Sequence, residues 1–241
     1  REAIIKAADL LNEDKTEEAI DILQAILKST PDHVNAMRYL ALAYRRGEKK
    51  LQDAEALLKS ATRLAPDFIP AWFDLGSLLS LRDKRMEAIA AYQKVVQLDP
   101  DNAAAWGGLG SAYAVAMYPD KSAEAYAKSV ALKPDVPNVL MGQAHVLKTL
   151  GDQAEALKSY RAAIKIKPEF GEVYWSMANL KIFQFEEEEV SSMLQQLESD
   201  NLTESEEIHF RFALGKAFED KKDYEQAWHY YHTGNQQQRM T

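Results

Sequence analysis

Residues 71–100 read AWFDLGSLLSLRDKRMEAIAAYQKVVQLDP, and residues 105–134 read AWGGLGSAYAVAMYPDKSAEAYAKSVALKP. Both stretches begin with an alanine–tryptophan pair and end at a proline, and the two prolines stand 34 residues apart. The interval recurs along most of the chain, with spacings of 35, 34, 34 and 34 residues between Pro31, Pro66, Pro100, Pro134 and Pro168. A constant period of about 34 residues indicates an array of helical repeats.

Residue size follows the same period. Six residues after each proline the side chain is large, at Met37, Trp72, Trp106, Leu140 and Tyr174. Ten residues after each proline it is small, at Ala41, Gly76, Gly110, Ala144 and Ala178, and eight residues before each proline it is large again, at Leu23, Leu58, Tyr92, Tyr126 and Tyr160. Large side chains fill the space between helices, and small ones let two backbones approach closely. The pattern therefore predicts antiparallel helix pairs with the tryptophans in the core, and each proline ends a second helix because its ring cannot continue the hydrogen-bond ladder.

The two quoted stretches resemble the tetratricopeptide repeat, and the resemblance extends over almost the whole chain. It implies an all-α fold, an α-solenoid of about seven antiparallel helix pairs wound into a superhelix. We expect a single array over residues 1–241, with units at 1–33, 34–68, 69–102, 103–136, 137–170, 171–204 and 205–241. The sixth unit is degenerate, because its second helix, EEEEVSSMLQQLESDN, lacks the small residue and ends without a proline. The run Glu186–Glu189 is expected to form a solvated helix start, where carboxylates are favoured by the helix dipole.

Composition narrows the possible functions. The chain has 241 residues, no cysteine and a formal net charge of −8. Residues 182–210 hold nine acidic and no basic residues, which leaves 29 basic against 28 acidic residues elsewhere. The chain therefore lacks the excess of basic residues that is typical of nucleic-acid-binding proteins, and we expect no nucleic-acid partner. The sequence contains no run of eighteen apolar residues, so we expect no membrane-spanning helix. The absence of cysteine fits a cytoplasmic protein.

The first helix of each unit should line a concave groove, with the residues seven and eleven after each proline facing into it. Phe212 and Lys216 are the equivalent positions in the seventh unit, which has no proline before it. Among all these positions we select aromatic and methionine anchors and the hydrogen-bonding groups between them as candidates for partner binding: Arg38, Phe73, Met141, His145, Trp175, Asn179, Phe212 and Lys216. A surface of this kind suits an extended peptide or a helix. The alternative is that Trp175, with Phe183 and Phe185, covers the end of the array against a neighbouring domain.

No motif in the chain predicts catalysis, a cofactor or a metal. The run Gly107–Gly110 lies inside a predicted helix without the strand and the lysine of a phosphate loop. His229 and His232 share a helix face with Glu225, which is a weak basis for a zinc site. Some tetratricopeptide domains hold a C-terminal carboxylate in a clamp of Lys, Arg and Asn, but Arg38, Asn179 and Lys216 are far apart along the repeats. We therefore predict a non-enzymatic scaffold that binds a protein or peptide, with an oligomerisation module as one alternative.

A second resemblance covers about seventy residues near the end of the sequence. The stretches VYWSMANLKIFQFEEEEVSSMLQQL and EEIHFRFALGKAFEDKKDYEQAWHYYHTGNQQQR are similar to the end of the repeat region in bacterial tetratricopeptide–sulfotransferase proteins. The resemblance implies a catalytic domain in cis, after Thr241, that takes a sulfuryl group from 3′-phosphoadenylyl sulfate. No catalytic or nucleotide-binding residue of that domain falls within this sequence. The chain would then be the substrate-recruiting part of an enzyme.

Overall fold

The computed structural model describes residues 2–47, 50–180, 183–199 and 201–239, and within them the secondary structure is helical without a strand. The chain is divided into two compact units, residues 1–132 and residues 133–241. The first unit contains eight of the described helices: α1 (Glu2–Asn12), α2 (Thr16–Ser29), α3 (Val34–Arg46), α4 (Leu51–Leu64), α5 (Ile69–Leu81), α6 (Arg85–Leu98), α7 (Ala103–Val115) and α8 (Pro119–Leu132). The second unit contains six: α9 (Pro137–Thr149), α10 (Gln153–Ile166), α11 (Gly171–Ala178), α12 (Glu187–Leu197), α13 (Glu204–Asp220) and α14 (Tyr224–Gln238). The predicted fold class, a set of about seven helix pairs, is confirmed.

The periodic prolines end the second helices as predicted. Helices α2, α4, α6 and α10 each stop two residues before their proline. The intervening residue is extended in every case, with φ between −140° and −128° and ψ between 82° and 88°, at Thr30, Ala65, Asp99 and Lys167. A residue that precedes proline is excluded from the helical region by a clash with the proline ring. The residue before each proline is therefore the first one outside the helix, and the last helical residue lies two positions before the proline.

The small and large positions of the repeat meet across each helix pair. A Cβ atom built on Gly76 would lie 3.0 Å from the ring of Tyr92, and one built on Gly110 would lie 2.9 Å from the ring of Tyr126. Both tyrosines are buried. The close approach of α5 to α6 and of α7 to α8 thus depends on the missing side chain.

The two tryptophans differ from their predicted place in the core. Trp72 and Trp106 are half-buried, and each indole Nε1 donates a hydrogen bond to the carbonyl oxygen of the proline six residues earlier, at 2.9 Å to Pro66 and 2.8 Å to Pro100. The indole N–H needs a partner when it is removed from water. That partner lies at the surface turn, so one edge of each ring stays near solvent.

The sixth helix pair is irregular, in line with its sequence. Helix α11 ends at Ala178 after eight residues, and its main packing partner is α13 and not the following α12. The turn between α3 and α4, where the second unit of the repeat has its extra residue, includes positions 48 and 49, which lie outside the described residues.

Candidate functional site

The eight predicted binding residues lie on first helices or directly after one. Arg38 and Phe73 belong to the first compact unit, on α3 and α5, and the other six belong to the second unit. Those six are divided among three elements, with Met141 and His145 on α9, Trp175 and Asn179 on and just after α11, and Phe212 and Lys216 on α13. All are half-buried except Asn179, which is exposed.

In the first unit, Arg38 is held by a carboxylate that the sequence did not single out. The Arg38 Nε donates a hydrogen bond to Asp74 Oδ2 on α5, and Arg45 Nη1 donates to Ser77 Oγ over 3.0 Å. Asp74 is only 8% exposed. Burial raises the pKa of the Asp74 carboxyl, although Arg38 and Arg45 oppose the rise. Asp74 is the one charged residue within α5. A single charged residue in an otherwise apolar helix is a sequence signal from which the importance of Asp74 could have been predicted.

Phe73 contributes to the core as well as to the surface of the first unit. Its ring stands edge-on to the ring of Tyr92, with the centroids 5.8 Å apart, and it packs against the cluster formed by helices α3 to α8. Such an edge-to-face arrangement adds to the burial energy of both rings. Loss of Phe73 would therefore disturb packing as well as any binding surface.

His145 joins two first helices of the second unit. Its Nε2 lies 3.1 Å from Ser176 Oγ on α11, and its ring stands edge-on to Tyr160, with centroids 5.6 Å apart. Burial lowers the pKa of His145, although Glu172 opposes the effect and Lys148 adds to it. The imidazole is therefore neutral at neutral pH, and it can either donate to or accept from the serine.

Trp175 and Phe212 form an aromatic pair between neighbouring first helices. Their ring centroids are 5.3 Å apart and the planes are inclined by 42°. Phe212 also approaches α14, where a Cβ built on Gly234 would lie 3.5 Å from its ring. The pair is half-buried, so it is held by packing while part of its surface faces solvent. Together with His145 and Ser176, it forms a row of side chains that runs from α9 through α11 to α13, which we call the first-helix face of the second unit.

The polar groups predicted beside these anchors are already engaged within the chain. Asn179 Nδ2 donates to the carbonyl oxygen of Trp175 over 2.8 Å, and Lys216 forms an ion pair with Asp220 one turn later. Met141 is half-buried on α9. With Arg38 bound to Asp74 in the other unit, Arg38, Asn179 and Lys216 each have a partner within their own unit.

The histidines near the end of the sequence pack with aromatic rings. The ring of His232 stacks on Trp228 with centroids 5.4 Å apart, and His229 stands edge-on to Tyr230. Within the described residues, no group of three or more His, Cys, Asp or Glu side chains is placed to hold a metal ion. The described helices also include none that is long and apolar enough to cross a membrane.

Comparison with known proteins identifies the repeats. Family models described as tetratricopeptide repeat match residues 6–67 and 137–170, and one described as TPR repeat matches residues 86–114. The chain therefore contains tetratricopeptide repeats in these three stretches. A search of curated proteins finds no match.

Solved structures of repeat proteins share the fold. PilF from Pseudomonas aeruginosa is 20% identical, with a TM-score of 0.70 over 81% of this chain and 89% of that one. MamA is 25% identical, with a TM-score of 0.61 over 69% of this chain and 96% of that one. YrrB is 18% identical, with a TM-score of 0.63 over 72% of this chain and 89% of that one.

Proposed function

We propose that the chain is a non-catalytic scaffold that binds a protein or an extended peptide on its first-helix faces, and that Trp175 and Phe212 are the main anchor. The observation that carries the proposal is the half-buried aromatic pair between α11 and α13. Aromatic side chains that are fixed by packing and keep an accessible surface are the usual source of binding energy at protein interfaces. YrrB, one of the similar structures, is described as a repeat protein with an unusual peptide-binding site.

The flanking residues would set the orientation of such a partner. His145 and Ser176 offer a neutral hydrogen-bonding pair at one end of the row, and the exposed Asn179 amide lies one turn beyond Trp175. Because Lys216 is already paired with Asp220, this end of the face is electrically balanced. We therefore expect recognition by apolar anchors and backbone hydrogen bonds, without a strong requirement for charge on the partner.

A tryptophan substitution with a matched control tests the proposal. Immobilised wild-type protein captures partners from an extract of the source cells, and mass spectrometry quantifies them beside Trp175→Ala and Trp228→Ala. Trp228 is 69% exposed on α14, a second helix, so its loss removes an indole away from the proposed face. We expect Trp175→Ala to reduce partner affinity about tenfold or more, as for an interface anchor, and Trp228→Ala to retain it.

Thermal melts of both variants establish that each is folded. If a folded Trp175→Ala protein retains its partners as well as Trp228→Ala does, the first-helix face of the second unit is not the binding surface.

Oligomerisation is a second candidate, favoured by exposed aromatic residues on α14. Tyr224 and Trp228 are 67% and 69% exposed, although both are large and apolar. Light scattering at increasing protein concentration tests this function. A mass that stays at 27.2 kDa at the highest concentration would exclude it.

The relation to sulfotransferases, the bacterial origin and the cytoplasmic location stay predictions. The matched family models are repeat models, and none of them covers residues 171–241. The gene sequence beyond the codon for Thr241 tests the relation to sulfotransferases. A predicted strand followed by a Pro-Arg-Ser-Gly-type loop in that sequence would support this relation.

A further inference from the structure

A second type of groove lies between the second helices of the first unit. Three helices form it, since two successive second helices are its walls and the first helix between them is its floor. The side chains of α6, α7 and α8 enclose one such groove, which has a volume of about 1120 Å³. We call it the α6–α8 groove. It is separate from the residues proposed above to bind a partner.

Two equivalent grooves are bridged by ion pairs. Between α4 and α6, Lys59 Nζ lies 2.6 Å from Glu87 Oε2. Between α10 and α12, Arg161 Nε lies 2.8 Å from Glu189 Oε1. Lys59 and Arg161 occupy the same position of the repeat, seven residues before the proline. In both places a long cationic side chain crosses from one wall to the other.

The α6–α8 groove has different residues at the bridging positions. Gln93 stands seven residues before its proline, and its Nε2 donates a 2.8 Å hydrogen bond to the hydroxyl of Tyr113 on the floor. Lys121 occupies the position that Glu87 holds in the neighbouring groove. Gln93 and Lys121 thus stand where the neighbouring groove has Lys59 and Glu87. These two side chains cannot form an ion pair with each other, and none among the described residues crosses the α6–α8 groove.

Apolar side chains form the inside of the groove, and several of those on its walls are small. Trp106, Leu109 and Tyr113 form the floor, and the walls contain alanines such as Ala90 and Ala127. The indole of Trp106 is held by its hydrogen bond to the Pro100 carbonyl oxygen, so the floor is already ordered. Because alanine walls leave the volume unfilled, the groove can receive apolar side chains at little cost in conformational entropy of the protein.

The rim of the groove is basic in a protein of net charge −8. Lys94, Lys121 and Lys128 line it, against the single carboxylate of Glu124. Lys121 Nζ lies 5.7 Å from the centroid of the Tyr113 ring, at the edge of the floor. No ion pair within the described part of the chain includes any of the three lysines. Three lysines beside an apolar floor complement a partner that presents carboxylates and apolar side chains together.

We propose that the α6–α8 groove is a docking site for an acidic amphipathic segment of another protein. The apolar side chains of that segment cover Trp106 and Tyr113, and its carboxylates reach Lys94, Lys121 and Lys128. The residues that line the two walls extend over 90–97 on α6 and 121–131 on α8. At 1.5 Å per residue these stretches are about 10–15 Å long, so the groove accommodates a helix of about two to three turns. Three lysines are few for a nucleic acid, which is held through many phosphate contacts.

A synthetic peptide serves as the probe. It has fourteen residues, with leucines on one helical face and glutamates on the other, and it carries a fluorescent label. Anisotropy measures its Kd for the full chain at low and at physiological salt. We expect saturable binding that weakens with salt, because the lysines are near solvent. We also expect loss of binding when every glutamate of the peptide is replaced by glutamine.

Matched variants locate the site. Lys94→Glu/Lys128→Glu reverses two charges on the rim, and Lys6→Glu/Lys28→Glu reverses two exposed charges on α1 and α2. We expect the first pair to raise the Kd about tenfold or more and the second to change it less than about twofold, as for exposed charges away from an interface. Ala127→Trp, at an exposed wall position, fills the groove and should abolish binding while the melting temperature is kept.

Four results would overturn the proposal. These are equal Kd values for the two charge-reversal pairs, unchanged binding by folded Ala127→Trp, equal binding of the glutamine peptide, and binding of single-stranded DNA or phosphatidylserine vesicles in the place of the peptide. Trp175→Ala should leave the affinity for this probe unchanged, so that failure here and failure of the first-helix proposal are told apart.

Discussion

At the scale of single residues, the close packing of helices depends on glycines, which have no Cβ atom. Gly76, Gly110 and Gly215 each face a tyrosine ring of the following helix, and a Cβ on Gly215 would lie 2.6 Å from Tyr231. For Gly76 and Gly110 the repeat pattern predicted a close approach of the two helices, because the glycines and the tyrosines Tyr92 and Tyr126 stand at fixed offsets from the prolines. Gly171 is different, since a Cβ there would lie 2.6 Å from the backbone carbonyl oxygen of Glu206 on α13.

Gly171→Ala should lower the free energy of unfolding by about 1–3 kcal/mol, the usual cost of overpacking. A tyrosine ring can tilt away, but the carbonyl oxygen of Glu206 can yield only if α13 itself shifts. The control is Gly47→Ala, where the nearest heavy atom would be 3.9 Å from the new Cβ. Urea melts measure both variants. Equal midpoints for the two would show that α11 and α13 are not closely packed at this point.

His145 should make stability dependent on pH. Its folded pKa is lowered by burial, so below the ordinary value of 6.5 the unfolded chain binds the proton more readily than the folded one. The stability from the neutral imidazole is thus fully present above pH 6.5 and decreases as the pH falls towards the folded pKa. We expect His145→Gln to lose this dependence, so that the wild type exceeds the variant in unfolding free energy by more at pH 7.5 than at pH 5.5.

Urea melts at the two pH values measure this difference, and His229→Gln, at an exposed position on α14, is the control. A difference between wild type and His145→Gln that does not change with pH would mean that His145 titrates equally in both states.

At the scale of elements, α12 shows what the periodic pattern leaves out. The sequence predicted a solvated helix start at Glu186–Glu189, and a capping box does form between Glu186 and Glu189. Glu189, however, is buried and pairs with Arg161 on α10. A capping box is a local signal within four residues, whereas the Arg161 contact spans 28 residues along the chain. Sequence reasoning recovers the first kind of contact and misses the second.

Arg161→Gln should loosen α12 selectively. The substitution leaves the buried Glu189 carboxylate without its cationic partner, and such a change costs several kcal/mol when both groups are buried. Since the Arg161 side chain is 37% exposed, solvent reduces the expected cost to about 1–3 kcal/mol. Hydrogen exchange should show faster exchange in α12 than in wild type, with α11 and α13 little changed.

The control is Lys158→Gln, which removes an exposed ion pair within α10. If both variants exchange as the wild type does, α12 is held by its apolar contacts alone.

Candidate binding residues were predicted less completely than the helices. The period placed the eight residues on or beside first helices, because helix faces repeat with the proline spacing. It could not show that Arg38 is bound to Asp74, that Lys216 is bound to Asp220, or that Trp175 and Phe212 are in contact. These contacts depend on which side chains happen to reach each other, and a repeat of residue types carries no information on that.

For the molecule as a whole, a repeat period predicts the repeat units, and the structure adds two compact units at residues 1–132 and 133–241. The single array over residues 1–241 that the spacing predicts stays a prediction. The period is unchanged at this boundary, since Pro100, Pro134 and Pro168 are equally spaced. Each unit has its own buried residues, and the first includes a cluster that extends from α3 to α8. The proline spacing therefore predicts the local pairing of helices and carries no mark of the boundary between the two compact units.

Residues 1–132 should fold alone. Helices α1 to α8 bury their apolar residues in clusters within this range, and both walls and the floor of the α6–α8 groove are included. We expect helical circular dichroism, a cooperative melt, and a Kd for the acidic probe within about twofold of that of the full chain, because every proposed contact is retained.

The comparison is a fragment of residues 1–115, which lacks α8. It loses Tyr126, whose ring fills the space above Gly110, together with one wall of the groove. In repeat arrays each unit is stabilised by its neighbours, so this fragment should melt at a lower temperature and fail to bind the probe. If the fragment of residues 1–132 is unfolded, its stability depends on the rest of the chain. If it is folded but does not bind a probe that the full chain binds, residues 133–241 contribute to the binding.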